Sequence, residues 1–283
     1  MSERHIRKRI AAETIQILDQ GYYYHPNCKR ISIRDIVNQS VSETRLFSPA
    51  ELDYLQTTTS ITNKTSKQPA VIDVTEETTL QAASRLQGMD QTVRWVCLNF
   101  ASAKNPGGGF LGGSQAQEES LARASSLYAS LVQADGFYRA NKDCRSSIYT
   151  DHIIYSPDVV VFRDHKDKLL RKPYLLSFIT VPAVNAGAVR KNEAKNISKI
   201  NSVMVERIEK ILRVALYYQH THIILGAWGC GVFKNDPQDV AGYFQYHLAG
   251  NGQFICCFDH IVFAIKDNSW EKQVLGAFKE MLL

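Results

Sequence analysis

The stretch Val93–Leu131, VRWVCLNFASAKNPGGGFLGGSQAQEESLARASSLYASL, governs the reading of the whole chain. Its first part, Val93 to Phe100, is an apolar run of strand length, rich in β-branched and aromatic residues. A loop with five glycines in seven residues follows: Gly107, Gly108, Gly109, Gly112 and Gly113. From Gln117 onward, Leu121, Ala124, Leu127, Tyr128 and Leu131 recur at the spacing of one helix face. That spacing predicts an amphipathic helix to about residue 134. The order is strand, glycine loop, helix, with Glu118 and Glu119 in the first helical turn.

Glycine lets a backbone adopt φ > 0 and approach a ligand without a Cβ in the way. A glycine loop that runs into a helix N-terminus presents free N–H groups to an anion, most often a phosphate. The same residues also suit a plain loop before a helix whose early acids complement the macrodipole. No Gly-Lys-Ser/Thr follows the glycines, and the dinucleotide fingerprint is absent at its usual spacing, so neither familiar phosphate motif applies.

A second loop repeats the arrangement. Gly226-Ala227-Trp228-Gly229-Cys230-Gly231-Val232-Phe233 follows a strand that begins at His222 and precedes a helix opened by Pro237. Two such loops at neighbouring strand ends can hold one diphosphate between them; a tight turn that buries Trp228 and Phe233 is the alternative. Cys230 has no histidine placed beside it by the sequence and is not read as a nucleophile. Asn185-Ala186-Gly187-Ala188 forms a third loop at a strand end, and Asn105 precedes Pro106 and the first glycines.

Working outward, residues 3–19 read as a helix with Ile6, Ile10, Thr14, Ile15 and Leu18 on one face, ended by Gly21. Tyr22–Tyr24 and Arg30–Ile33 read as short strands, and Ser48-Pro49-Ala50-Glu51 is a capping box with proline at the first helical position. The polar run 57–69 is the candidate linker. Strands are expected at 71–74, 159–162, 175–181, 222–227 and 260–265, and helices at 76–87, 198–219, 237–249 and 270–282. Residues 135–151 read as irregular, with tyrosines near their turns. On the 198–219 helix, Met204, Ile208, Ile211, Leu212, Ala215 and Leu216 share a face, and Glu206, Arg207, Glu209, Lys210 and Arg213 lie elsewhere. Strands alternating with helices argue for an α/β layered sheet, at least partly parallel. Ligands on such sheets bind beyond the carboxyl ends of the strands.

With 283 residues, 45% apolar and 22% charged, the composition is that of a soluble globular protein with ample length for a core. The net charge of +5 suits a polyanionic substrate, but the basic residues are scattered and form no dedicated nucleic-acid site. No apolar run reaches membrane-spanning length, and the start MSERHIRKRI lacks the apolar core of a signal peptide, so an intracellular, cytoplasmic protein is expected. The six cysteines include no C-x-x-C pair; Cys97 and Cys256 sit in apolar runs and read as buried hydrophobes. The eight histidines show no metal or catalytic spacing and read mostly as surface residues.

Gly107-Gly108-Gly109 followed, after seven residues, by Gln117-Glu118-Glu119 resembles the signature loop of poly(ADP-ribose) glycohydrolases, and most closely the compact microbial branch built on a macrodomain. The segment Gly226–Phe233 resembles the second diphosphate loop of macrodomains. The resemblance covers roughly Ile72 to Ile265 and, more loosely, the N-terminal segment. It implies an α/β fold: a three-layer, macrodomain-like mixed sheet flanked by helices, with a mainly helical N-terminal extension. The extension would be residues 1–69, packed on a catalytic domain of residues 70–283. By the same likeness, Asn105 reaches the distal ribose hydroxyls and Phe233 packs on that ribose. Gly107, Gly108, Gly109, Gln117, Gly226, Gly229, Cys230, Gly231 and Val232 complete the substrate cradle. No cofactor and no metal are implied. The implied partners are ADP-ribose or poly(ADP-ribose)-modified proteins, and the protein is expected to be a monomer.

Glycoside cleavage normally places two carboxylates on opposite faces of the sugar. Adjacent helical residues point about 100° apart, so Glu118 and Glu119 cannot straddle a ring. One acid then does the chemistry and the other positions hydroxyls. The resemblance assigns the chemistry to Glu119, which would protonate the leaving oxygen and then deprotonate water, and ribose binding to Glu118. Hydrolysis of ribose–ribose bonds in poly(ADP-ribose) is the expected activity. Removal of single ADP-ribose units from protein side chains such as arginine is a rival in the same cleft, and a non-catalytic ADP-ribose reader is another. The reader is disfavoured because diphosphate binding gains nothing from two nearby carboxylates.

Overall fold

The computed structural model describes residues 2–27, 30–58 and 68–283. Most of the expected linker 57–69, and Cys28, lie outside these residues.

The first helix, α1 (Glu3–Gln20), ends at Gly21, whose φ of 72° lets its N–H turn back to the Ile17 carbonyl at 2.9 Å. Its fully buried residues are Ala11, Thr14 and Ile17; of the expected stripe Thr14 is buried, Ile15 and Leu18 are partly buried, and Ile6 is exposed. The cause is tertiary: the Thr14 hydroxyl donates to the Arg123 carbonyl at 2.7 Å and so fixes the helix's rotation. Strands β1 (Tyr22–Tyr24) and β2 (Arg30–Ser32) form a small antiparallel pair. Helix α2 (Arg34–Glu43) leads to β3 (Arg45–Phe47), which joins the main sheet. Next, α3 (Pro49–Thr58) starts with the expected capping box, in which the Ser48 N–H donates to Glu51 Oε2 at 2.8 Å.

After β4 (Val71–Thr75), helix α4 (Thr79–Met89) begins later than the sequence suggested, because Thr78 and Gln81 form a reciprocal capping box. Strand β5 (Trp95–Phe100) then leads into the glycine loop. The single helix expected beyond it is two, α5 (Gln117–Ala124) and α6 (Leu127–Gln133). Between them Ser125 is extended and bridges Val161, while the Ser125 hydroxyl donates to the Leu121 carbonyl at 2.7 Å. Serine hydroxyls that bond nearby backbone compete with helix continuation. Part of the stretch expected to be irregular is a helix, α7 (Asp135–Asp143), with Phe137 and Tyr138 buried.

Strands β6 (Ile153–Arg163) and β7 (Leu169–Val181) are longer than expected and form a hairpin; the added start of β7 is polar and partly exposed, whereas the added start of β6 is buried and carries Pro157, a residue that argues against a strand in sequence. Helix α8 (Ala186–Asn192) is capped by Asn185, whose side chain accepts the Ala188 N–H at 3.0 Å. The long α9 (Ile200–Tyr217) buries the expected apolar face and also Arg207, Lys210 and Arg213. Asp151 pairs with Arg207 at 2.7 Å and Lys210 at 2.8 Å, so this charged flank packs against the protein instead of facing water. The chain ends with β8 (His222–Leu225), α10 (Pro237–Leu248), β9 (His260–Ala264) and α11 (Gln273–Leu282).

Seven strands form one mixed sheet in the order β3-β6-β7-β5-β8-β9-β4. The five from β7 to β4 run parallel, β6 pairs antiparallel with β7, and β3 pairs antiparallel with β6. One face carries a core of α9, α10 and α11 residues such as Met204, Phe244 and Phe278. The other packs Leu86, Leu121, Leu131 and Tyr138 from α4 to α7. Helix, sheet and helix make the three layers. The N-terminal segment supplies the edge strand β3, with Arg45 opposite Tyr155. Two side-chain expectations change. Cys257 is the fully buried member of the adjacent cysteines, while Cys256 is half-buried, and His220 and His247 are buried rather than on the surface.

Candidate active site

A cleft of about 930 Å³ opens where β5, β8 and β9 end, the carboxyl edge at which parallel sheets bind ligands. Its walls come from the segments that leave those strands: Phe100–Asn105 with the glycine loop, Ala227–Phe233, and Ala264–Asn268.

Gln117 builds the first wall. Its side chain accepts the Phe100 N–H at 2.8 Å and donates to the Leu98 carbonyl at 2.8 Å and to the Thr79 hydroxyl at 3.3 Å. The amide is thus fully engaged in pinning the start of α5 to the end of β5. Glu118 is buried beneath that start. It accepts the Ser102 N–H at 2.7 Å and the Asn99 side-chain amide at 3.2 Å. Burial pushes its carboxyl up to about 8, against the Ser102 and Asn99 hydrogen bonds that hold it down; the Glu119 charge adds to the rise. Glu119 is half-buried at the cleft, and Oε1 accepts the Gly109 N–H at 3.0 Å.

Both carboxylates converge on Gly108, which has φ of +59°. A Cβ there would collide with Glu119 and lie 3.2 Å from Glu118 Oε2. The turn is closed by the Gly108 N–H on the Asn105 carbonyl at 3.0 Å. Gly107, also at positive φ, backs the loop from behind, where a Cβ would meet Phe110 and Tyr128, and it does not line the cleft. Two arginines of α1 hold the far end of the loop: Arg4 donates to the Gly112 carbonyl at 3.0 Å and Arg7 to the Gly113 carbonyl at 2.9 Å.

The second wall is the β8 loop. Trp228 is buried, with its indole N–H on the Val181 carbonyl at 3.2 Å. Asn235 braces the loop by donating to the Val184 carbonyl at 2.8 Å and the Gly229 carbonyl at 3.1 Å. Gly231 and Val232 are exposed at the cleft, and Phe233 packs against Tyr149 with ring centroids 5.9 Å apart. Cys230 lines the cleft, but burial pushes its thiol up to about 12, which suits no nucleophile. Gly226 stands behind the loop, 2.7 Å in prospect from the Ala264 carbonyl if it carried a Cβ.

The two glycine loops therefore face one cleft, with Asn105, Gly108, Gly109, Gln117, Glu118, Glu119, Gly229, Cys230, Gly231, Val232 and Phe233 on its surface. Asn185 does not line it.

Residues 11–164 match the family described as microbial-type PARG, catalytic domain. The chain belongs to that family. Among solved structures, a poly(ADP-ribose) glycohydrolase from Thermomonospora curvata is 44% identical, aligning 98% of this chain with 100% of its own at a TM-score of 0.92. The Thermomonospora enzyme bound to the inhibitor ADP-HPD aligns at 0.89, with 44% identity over 98% of this chain and 99% of that one. A poly(ADP-ribose) glycohydrolase from Deinococcus radiodurans in complex with ADP-ribose is 40% identical over 92% of this chain and 98% of its own, at a TM-score of 0.80. No curated protein matches the sequence. The macrodomain-like, three-layer fold expected from the glycine loops is the fold of this microbial PARG family member.

Several residues of the cleft and its support escaped the sequence reading. Ser102 donates a backbone N–H, which any residue but proline carries, so nothing in the sequence marks it. Asn99 was legible in principle, as a lone amide in the apolar run of β5, where a buried polar group needs a partner. Lys266 and Asn268 reach the cleft from beyond β9, Thr79 and Val274 from the starts of α4 and α11, and His165 from the hairpin tip. Among the described residues no group of three His, Cys, Asp or Glu side chains is placed to hold a metal ion, and no helix is long and apolar enough to cross a membrane.

Proposed function

We propose that this chain hydrolyses the ribose–ribose O-glycosidic bonds of poly(ADP-ribose) and releases ADP-ribose. The observation that carries this is the convergence of Glu118 and Glu119 on Gly108 at the mouth between two glycine loops. A diphosphate lies against the backbone of Gly229 and Gly231, whose amides suit an anion, while the Cys230 N–H is already given to the Ala227 carbonyl at 3.2 Å. The distal ribose then sits between Phe233 and the first loop, with Asn105 and Glu118 at its hydroxyls.

Cleavage builds positive charge on the ribose ring. Glu119 protonates the leaving oxygen, then takes a proton from the attacking water, as one positioned carboxyl can do in sequence. Glu118 serves differently. With its carboxyl raised to about 8 by burial, it is mostly protonated at neutral pH, so the pair does not present two full charges to a bound diphosphate. A protonated carboxyl also donates a hydrogen bond, which a ribose hydroxyl can accept. Gln117 acts by holding α5 in place rather than by touching substrate. ADP-ribose is accordingly the product and a ligand of the cleft, and modified proteins carry the substrate.

Incubating the purified protein with labelled poly(ADP-ribose), and separately with arginine-modified protein, tests the proposal when products are identified by mass. Free ADP-ribose from the polymer is the expected result. An intact polymer beside stripped arginine would overturn it in favour of the mono-ADP-ribosyl rival.

A further inference from the structure

The β6–β7 hairpin reaches the cleft by an unusual route. Its tip lies at the start of β7, the end of a parallel sheet opposite to the ligand edge. Register shifts between Ser156 and Val159 and between Val161 and Arg163 interrupt the ladder, and such irregularities bend and re-aim a strand. His165 at the tip consequently lines the same cleft as Gln115, Glu119 and Ser120.

The tip is held firmly although His165, Lys166 and Lys168 are exposed. The Asp164 carboxylate accepts the N–H groups of Lys166 and Lys168, both at 2.8 Å. Arg163 donates to the Asp167 carbonyl at 3.1 Å and pairs with Glu13 of α1 at 2.8 Å. The Tyr23 hydroxyl donates to the Leu170 carbonyl at 2.7 Å. Arg123 of α5, itself buried, joins tip to catalytic loop: its guanidinium lies 3.4 Å from Asp167, 3.0 Å from the Ser114 carbonyl and 3.4 Å from the Ser120 hydroxyl. Both acids of the tip are thus engaged, Asp164 with amides and Asp167 with Arg123. Lys166 and Lys168 pair with no carboxylate among the described residues.

A rigid, cationic, ring-bearing tip whose His165 lines the cleft that holds Glu119 matches one part of the substrate. When a bond of the polymer is cut, the leaving group is the next unit, a ribose hydroxyl on an adenosine that carries its own diphosphate. We infer that the tip of the β6–β7 hairpin is an acceptor subsite for that adenosine diphosphate, with His165 against the adenosine and Lys166 and Lys168 against the diphosphate. The inference rests on the polymer-cleaving reading above.

Two substrates separate the possibilities: poly(ADP-ribose), and a 4-nitrophenyl ADP-ribose conjugate whose leaving group cannot fill the subsite. For His165→Ala combined with Lys166→Glu and Lys168→Glu, kcat/KM on polymer should fall about tenfold or more, the range of one lost base stack. The conjugate should be hydrolysed within about twofold of wild type, and calorimetry should show unchanged ADP-ribose affinity. Added salt should depress wild-type polymer cleavage more steeply than that of the variant, because the lost contacts are ionic. Equal loss on both substrates, or no loss on polymer, overturns the subsite. A wild-type protein that leaves polymer intact overturns the polymer reading and the subsite with it, an outcome visible before any variant is made. Lys166→Ala alone guards against misfolding of the triple variant, and it should give a smaller loss confined to polymer.

Discussion

The glycines of the two cleft loops look alike in sequence and answer to different neighbours in space. Gly108 is hemmed in by chemistry: the groups that a Cβ would strike are the Glu119 and Glu118 carboxylates. Gly229, at φ of +80°, is hemmed in by the fold: its Cβ would lie 2.5 Å from the Asn235 side chain and 2.6 Å from Ala183. Gly231, two residues on, would meet nothing within 4 Å and faces the cleft. A glycine at a binding loop can therefore serve the reaction, the loop's own closure, or the ligand's approach, and only its neighbours tell which.

Variants can break or sharpen that distinction. The largest effect should come from Glu119→Gln, which preserves shape and removes the proposed proton-transfer group. Turnover of polymer should fall about 100-fold to 10,000-fold, while calorimetry shows ADP-ribose binding kept or tightened. Activity close to wild type would remove Glu119 from its role. Next is Gly108→Val, which must displace both carboxylates; misplacement of about 1 Å can cost about 100-fold in rate, so catalysis should suffer far more than the urea midpoint.

Gly229→Val should show the opposite pattern. Strain at positive φ and a crowded Cβ each cost about 1–3 kcal/mol, so urea unfolding should report a loss of a few kcal/mol and a lower midpoint. Should Gly229→Val stay as stable as wild type and lose only affinity, the two loops are more alike than their packing suggests. Gly231→Val isolates ligand approach: its melting temperature should match wild type while ADP-ribose affinity drops roughly tenfold, equivalent to about 1.4 kcal/mol.

The last effect concerns stability rather than catalysis and is the most diagnostic of burial. Glu118 keeps its proton to about pH 8 in the folded protein, whereas the unfolded chain releases it near the ordinary value of 4.5. Between those values the folded state binds the extra proton, so this group's contribution to stability declines as pH rises and is fully lost above about 8. Glu118→Gln cannot ionise. Its melting temperature relative to wild type should therefore climb by a few degrees between pH 5 and pH 8.5, read from a pH series of thermal melts. A difference independent of pH would show that Glu118 is not buried as an acid.

Much of the site was legible because its signals are local. Strand, glycine loop and helix occupy one continuous stretch, and Gln117-Glu118-Glu119 must share a first helical turn once the helix starts there. What failed depended on partners remote in the chain. The helix beyond Glu119 breaks at Ser125 because Val161 offers it a strand partner. The flank of α9 that carries Arg207 and Lys210 is buried because Asp151 arrives to pair with it.

The sequence by itself determined the α/β alternation, the two glycine loops and the identity of the acid pair, since hydrophobic periodicity and backbone permissiveness are properties of neighbouring residues. Only the tertiary structure decided that Glu118 is buried under Ser102 and Asn99 while Glu119 faces the cleft, and that Gln117 is occupied in pinning α5 to β5. It alone brought His165 from the far end of β7 to the cleft rim. Burial, charge and hydrogen-bond supply are set by what packs against a residue, and those neighbours come from strands, helices and a hairpin that the chain order keeps apart.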